Sequence, residues 1–376
     1  MKILIYTYSL HHGGAERVAS LWANGFVDQG HNVSVVLDSL FAPIKYKVTS
    51  EIPVFRLVSF SKKIQKIQCI VEKLWSRIPN CIKSYFFAKI IRVQEPDVII
   101  VVMPELYEKI SYALKLIDRK IPVVVTDHNA FERPVYAQLS TQSLNLKFVD
   151  SIKYDYFTVL TEADRYILEK KMDTNFMKKV CVLPNPLAFT PPNSISQKDK
   201  FVLAAGRLGA WHYKGFDLLL KAWAKVHKDF PDWILKIAGE GDQYFLRKMC
   251  YDLEITDCVV FLGFVDIKKQ YEKAEIFVLS SRYEGFGMVL IEAMSQGCAC
   301  IACDYKGRQR EIITNETQGI ICPPDDVESI VNALRKVMSD EDYRHCLQKN
   351  AIERSKYYEL PNIMKRWNKI FERIGL

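Results

Sequence analysis

Apolar runs recur along the chain, each followed by a turn and then by a stretch whose apolar residues repeat at helical spacing. KILIYTY (2–8) opens the pattern. GGAERVASLWANGFVDQG (13–30) follows, with Val18, Leu21, Trp22 and Phe26 at helical period. HNVSVVL (31–37), PDVIIVV (96–102), IPVVVTD (121–127), YFTVLT (156–161) and KVCVLPN (179–185) read as further strands. Continuous β-rich runs, as opposed to strict alternation, mark parallel strands buried on both faces. The pattern lapses at PLAFTPPNSISQKDK (186–200), which is rich in Pro, Ser and Asn and has no period, as a linker would. It resumes with KFVLAAG (200–206), WILKIAG (233–239), CVVFLG (258–263), IFVLSS (276–281) and CACIACD (298–304). Helical stretches at 215–229, 242–253, 267–273 and 287–296 lie between them, and 326–338 and 341–354 follow. In LPNIMKRWNKIFERIG, Ile363, Trp367, Ile370 and Phe371 fall on one face.

Two βαβ series joined by a linker predict an α/β protein of two Rossmann-like doubly wound domains, 1–187 and 200–357, with 188–199 between them. The 376 residues suit two cores. In such sheets ligands bind beyond the carboxyl ends of the strands, so the expected site is a cleft between the two domains. The N-terminus is too short and polar for a signal peptide, and no apolar run approaches the ~20 residues that span a bilayer. A cytoplasmic location is expected, and the ten scattered cysteines suit reduced thiols. Cys298, Cys300 and Cys303 cluster, but alternating small residues with no fourth ligand nearby read as a buried strand, not a metal site.

Charge alters this picture at one place. The net charge is +8, and residues 56–92 carry nine Lys or Arg against one acid, Glu72, so the whole excess lies there. Trp75, Tyr85, Phe86 and Phe87 are interleaved with it. A solvated face and a surface for anionic lipid headgroups both fit. Nucleic acid is not expected, because no binding motif accompanies the cations.

Three glycine signals stand at strand ends. Gly13-Gly14 opens a helix, where free amides favour anions, although a plain tight turn satisfies the same residues. In AAGRLGAWHYKG (204–215), Arg207 and Lys214 follow a strand, as a phosphate clamp or as surface. In RYEGFGMVLIEAMSQG (282–297), Glu284 sits at a glycine turn and Glu292 inside an apolar helix, with Gly285, Phe286, Gly287, Met288, Val289 and Leu290 between them. The first amides of that helix are donors for a diphosphate. Glu284 is placed for sugar hydroxyls. A buried Glu292 needs partners, which a pair of ribose hydroxyls or a salt bridge to a neighbouring helix would supply.

GGAER after the first strand, GR…KG upstream and E-x7-E after a later strand together resemble the retaining glycosyltransferases of family 4, which have the GT-B fold. The likeness runs over nearly the whole chain and is strongest to bacterial enzymes that extend lipid-linked glycans or make glycolipids. It implies that the amide of Gly14 meets the donor diphosphate, that Arg207 and Lys214 neutralise it, that Glu284 holds the transferred sugar and that Glu292 holds the ribose. It implies that His128, in VVVTDHN, contacts the sugar near the reacting centre; taken alone, His128 is equally a structural histidine. GEGD (239–242) and LGF (262–264), with Gly263 and Phe264, match stretches that line the base. The helix at 358–376 would complete the first domain. Two departures stand out. The loop 208–213 is longer and more aromatic than usual, which directs Trp211 or Tyr213 toward the cleft, and YKGRQREII (305–313) puts Arg308 and Arg310 where a glycine-rich turn is common.

The resemblance implies transfer of a hexosyl unit (galactose, glucose or N-acetylhexosamine) from a UDP-sugar to a hydroxyl of a membrane lipid or lipid-linked glycan, with retention. No cofactor or metal is implied, and the protein would be peripheral on the inner face of the cytoplasmic membrane, attached through 56–92. The alternatives are a nucleotide-sugar epimerase on a similar scaffold, a glycosyltransferase with a soluble acceptor, and a noncatalytic sugar-nucleotide binder. A dehydrogenase is disfavoured because neither half carries GxGxxG. The identity of sugar, acceptor and linkage is not written in these motifs.

Overall fold

The computed structural model describes residues 1–11, 13–58, 68–130 and 154–376. Strands β1 (Lys2–Thr7), β2 (Asn32–Leu37), β3 (Val54–Arg56), β4 (Val98–Val102), β5 (Val123–Thr126), β6 (Tyr156–Val159) and β7 (Val180–Val182) form one sheet in the order β3-β2-β1-β4-β5-β6-β7. Every pairing is parallel. Strands β8 (Asp199–Ala205), β9 (Ile234–Ala238), β10 (Val259–Gly263), β11 (Ala274–Leu279), β12 (Ala299–Cys303) and β13 (Ile320–Cys322) form a second parallel sheet in the order β10-β9-β8-β11-β12-β13. All residues of β4, β5, β11 and β12 are buried, as the continuous apolar runs require. Each sheet is doubly wound. The order reverses between β1 and β4 in the first and between β8 and β11 in the second, and these are the places where such sheets bind ligands.

The described residues fall into two compact units. One holds the chain up to Ala188 together with Leu360–Leu376, and the other holds Phe189–Glu359. Of the stretch 188–199 read as a linker, residues 189–199 group with the second unit, where Gln296 Nε2 donates to the Thr190 carbonyl. The helix Leu360–Arg373 closes the first unit. Trp367 packs edge-on against Trp22 at 5.0 Å and against Phe26 at 5.5 Å, on the apolar face of helix Gly14–Asp28. Gly25 on that helix lets it approach: a Cβ there would stand 2.9 Å from Met364 Sδ.

The basic segment folds as helices Gln68–Arg77 and Asn80–Gln94, and it corrects part of the membrane expectation. Arg56 faces inward and donates to the Ser39 and Ala42 carbonyls. Lys83 is buried, with its ammonium 5.6 Å from the Trp75 ring. Phe87 is core, packed against Tyr6 at 4.7 Å. The outward face instead carries Lys73, Arg77, Lys89 and Arg92 beside exposed Ile70, Leu74, Ile82 and Tyr85. Lys62, Lys63 and Lys66 lie outside the described residues. Among the described residues, no helix is long and apolar enough to cross a membrane.

Candidate active site

The second sheet's reversal lies between β8 and β11, and the loops leaving those two strands hold most of the expected site. β8 ends at Ala205, and Gly206 and exposed Arg207 lead into a short turn, Leu208–Ala210. The long aromatic loop that follows is fixed by its neighbours. Trp211 stacks on Phe245 at 4.1 Å and packs against the second unit's core, which accounts for one of the two aromatics expected in the cleft. The loop is then pinned to the segment after β11. Ser280 Oγ donates to the Lys214 carbonyl at 2.9 Å, Arg282 N–H to the Tyr213 carbonyl at 2.8 Å, and Arg282 Nη1 to the His212 carbonyl at 2.8 Å. Gly215 is required by this approach: its φ is +62°, and a Cβ would lie 1.9 Å from the Ser280 carbonyl oxygen. Arg282 is itself held by a two-pronged bond to Asp217 at 2.6 and 2.8 Å, which raises its pKa further despite burial.

The outcome is that Lys214 meets Glu284. Lys214 Nζ lies 2.6 Å from Glu284 Oε1, and Ser281 Oγ donates to the same oxygen at 2.8 Å. The methylene stem of Lys214 runs over Gly206. A cation and an acid assigned to different parts of a donor thus form one half-buried pair at the strand-order reversal. Oε1 is committed to the protein, and Oε2 is the carboxylate oxygen left for a hydroxyl donor.

Three residues on from Glu284, Gly287 (φ +92°) starts helix Met288–Ser295 with no side-chain cap. Leu290 N–H bonds back to the Gly287 carbonyl at 2.8 Å, whereas the amides of Met288 and Val289 begin the helix with no carbonyl one turn behind them. Phe286 is buried against Tyr358 at 5.6 Å, so this turn can offer a ligand the Phe286 backbone and not its ring. Glu292 is 3% exposed, and its Oε2 accepts a long bond, 3.5 Å, from the Tyr271 hydroxyl on helix Ile267–Lys273. The stretches expected to line the base converge nearby: Leu208 N–H donates to the Glu240 carbonyl and Gly239 N–H to the Gly263 carbonyl. Phe264 is 69% exposed after them.

Two expected residues belong to the first unit. Gly14 begins helix Gly14–Asp28, but the carboxylate of Glu16 folds back over this start, and a Cβ at Gly13 would be 2.3 Å from its Oε2. Burial raises the Glu16 pKa. His128 follows β5. Its Nδ1 meets Asn185 Oδ1 and its Nε2 meets Thr126 Oγ1, both at 3.1 Å, and its ring lies 5.4 Å from that of Trp22. Burial pushes the imidazole down to about 4, with the Asn185 bond opposing, so the ring is neutral near pH 7.

The loop after β12 holds what the sequence did not disclose. Arg308 is fully buried, 5.1 Å from the Tyr305 ring, whereas Arg310 is exposed and pairs with Asp304 at 2.9 Å. Gln309 is also fully buried. Its Oε1 accepts the Tyr305 N–H at 2.6 Å, while among the described residues its Nε2 has no partner. Nε2 lies 3.8 Å from where a Cβ of Gly287 would be. Leaving such a donor unpaired costs about 1–3 kcal/mol. The signal was present as a departure from the glycine-rich turn; only the fold shows which residue of it turns toward the helix start. Cys298, Cys300 and Cys303 are buried thiols, and among the described residues no cluster of His, Cys, Asp or Glu has the make-up of a metal site.

Two doubly wound units with this acid–cation pair at a strand-order reversal define a glycosyltransferase of the GT-B type. Residues 12–188 match the family model "Glycosyltransferase Family 4" and residues 188–354 match "Glycosyl transferases group 1". The chain belongs to glycosyltransferase family 4. A relative from Campylobacter jejuni, a GalNAc-alpha-(1->4)-GalNAc-alpha-(1->3)-diNAcBac-PP-undecaprenol alpha-1,4-N-acetyl-D-galactosaminyltransferase, is 28% identical over 100% of this chain and 99% of its own. The amylovoran biosynthesis glycosyltransferase AmsD of Erwinia amylovora is 28% identical over 98% of this chain and 99% of its own. Among solved structures, S. aureus TarM in complex with UDP, fondaparinux and alpha-GlcNAc-glycerol aligns with a TM-score of 0.78 at 14% identity, covering 98% of this chain and 99% of that one. HepE of Anabaena in complex with UDP aligns at 0.75 and 19% identity, covering 99% and 100%.

Proposed function

We propose that this glycosyltransferase moves a hexosyl unit from a UDP-sugar to a hydroxyl of a membrane lipid or lipid-linked glycan, with retention at the anomeric carbon. The observation that carries the reading is the Lys214–Glu284 pair beside the uncapped start of helix Met288–Ser295, with Glu292 buried in the same helix. The helix amides, Lys214 and Arg207 supply positive potential for the diphosphate as charge builds on it, and no metal is invoked. Glu284 Oε2 takes hydroxyls of the sugar, and Glu292 takes those of the ribose. The bond from the anomeric carbon to the diphosphate breaks, the bond to the acceptor oxygen forms on the same face, and the acceptor's proton passes to the departing phosphate oxygen. Glu284 is a poor candidate for a covalent nucleophile, because its Oε1 is held by Lys214 and Ser281. His128, neutral and bonded at both nitrogens, would act as a fixed polar contact for the sugar and not as a proton carrier.

A lipid-bound acceptor is favoured by the outward face of helices Gln68–Arg77 and Asn80–Gln94, where cations and apolar side chains are mixed as on surfaces that dock to anionic membranes. The PP-undecaprenol in the name of the Campylobacter jejuni relative points the same way. We place the protein peripherally at the cytoplasmic leaflet. The test is incubation with UDP-glucose, UDP-galactose, UDP-GlcNAc and UDP-GalNAc together with a membrane lipid extract, followed by mass spectrometry. A lipid product one hexosyl heavier is expected. Conversion of a UDP-sugar to its epimer without acceptor, or transfer only to a water-soluble glycan, would overturn the reading.

A further inference from the structure

We infer that Gln309 selects the sugar of the donor, by giving its unpaired Nε2 proton to an oxygen of the glycosyl group that is transferred. The inference rests on the donor reading above and adds a residue to it. Gln309 is fully buried, yet only half of its amide is used: Oε1 anchors the Tyr305 N–H at 2.6 Å, and among the described residues Nε2 has no acceptor. The Oε1 bond to Tyr305 explains the oxygen of this side chain but leaves its buried N–H donor without a use in the fold. The orientation is fixed by the loop. Lys306 and Gly307 both hold positive φ, +52° and +86°, and the Oε1 bond clamps the turn so that Nε2 faces Gly287. Gly287 is where the uncapped helix begins, in the same short turn as Glu284. At that point Nε2 shares the space beside Gly287 with the side chains of Leu279 and Leu290.

The chemistry narrows the partner. The diphosphate is an anion, and Lys214, Arg207 and the helix amides already meet it. A neutral amide is a directional donor, suited to a hydroxyl or an acetamido carbonyl oxygen. Glu284 accepts and Gln309 donates, so the pair reads opposite hydrogen-bonding faces of one sugar. A site built to bond a particular oxygen rejects analogues that lack or misplace it far more strongly than an apolar pocket rejects a change of size.

Gln309→Glu tests this: it keeps an oxygen to anchor Tyr305 and replaces the amide donor with a carboxylate, and UDP measured alone reports what the added buried charge does to diphosphate binding. Dissociation constants for UDP and for UDP-glucose, UDP-galactose, UDP-GlcNAc and UDP-GalNAc should be measured by calorimetry on the native and variant chains. The native chain should prefer one of the four. In the variant, that one should weaken by about tenfold or more, with the preference lost, while UDP shifts by less than about twofold. Gln309→Met, neutral but without either the donor or the oxygen that anchors Tyr305, should lose the same preference. Equal weakening of UDP and UDP-sugar would assign Gln309 to the diphosphate or to the turn, and an unchanged preference in both variants would leave it no role in selection; either result overturns the inference. If the native chain binds neither UDP nor any UDP-sugar, the donor reading itself falls and this inference falls with it.

Discussion

Lys214 and Glu284 stand 70 positions apart and share one oxygen atom's worth of space. Both were visible as candidates from their neighbours, a Lys-Gly pair and a glycine turn. Their pairing was not, because it depends on Ser280, Tyr213 and Arg282 stitching two loops together. Glu292 was legible for a simpler reason: a carboxylate in an apolar helix must have a partner. Glu292→Gln keeps the shape and removes the charge, so UDP affinity should fall by roughly 1.5–3 kcal/mol; calorimetry on the folded variant settles it. Arg207 is exposed at a strand end, where its loss should spare the fold. Turnover of Arg207→Ala at saturating donor should drop about 100-fold, the scale of removing one stabilising donor from a reacting site. For His128 the sign is fixed by its depressed pKa. Between the ordinary imidazole value near 6.5 and about 4, the unfolded chain binds a proton that the folded chain refuses, so stability is full above 6.5 and declines as pH falls through this window. His128→Gln should remove that component, of order 2 kcal/mol, from the difference between melts at pH 7 and pH 4.5.

At the level of elements, the long strands were readable because burial on both faces leaves no polar alternation to confuse them. β3 and β13, three residues each, were not, although the equally short β7 was read within the apolar run KVCVLPN. The stretch 189–199 looked like a linker by composition, yet contacts such as the Gln296 bond to Thr190 tie it to the second unit. Charge counting failed at Arg56 and Lys83, because composition records a cation without recording which way its helix or strand faces. The helix Leu360–Arg373 was readable as amphipathic, and its apolar face does pack onto helix Gly14–Asp28. Trp367→Ala should empty the space between Trp22 and Phe26 and destabilise the first unit by about 3–5 kcal/mol. Denaturation should show an earlier transition for that unit, with UDP affinity kept, because the donor residues other than Gly14 and His128 belong to the second.

For the whole molecule, the +8 charge acts through one face more than through its total. Lys73→Glu, Arg77→Glu and Lys89→Glu combined replace three cations worth about 1 kcal/mol each at an anionic surface. The triple variant should fail to sediment with vesicles of phosphatidylserine and phosphatidylcholine at low salt, while UDP binding stays intact; the native chain should release as salt is raised. Sedimentation by the variant equal to the native would show that the face is merely solvated. The first unit has a consequence in time as well. It is interrupted in the sequence by the whole of the second, and Leu360–Arg373 is translated after both. At 5–20 residues per second, roughly 10–40 s separate synthesis of the stretch ending at Ala188 from that of the helix that covers Trp22 and Phe26. Through that interval the nascent first unit presents an uncovered aromatic face, a natural target for chaperones, while the second unit is free to mature ahead of it. A ribosome stalled before residue 360 therefore carries a first half still waiting for its lid of tryptophan.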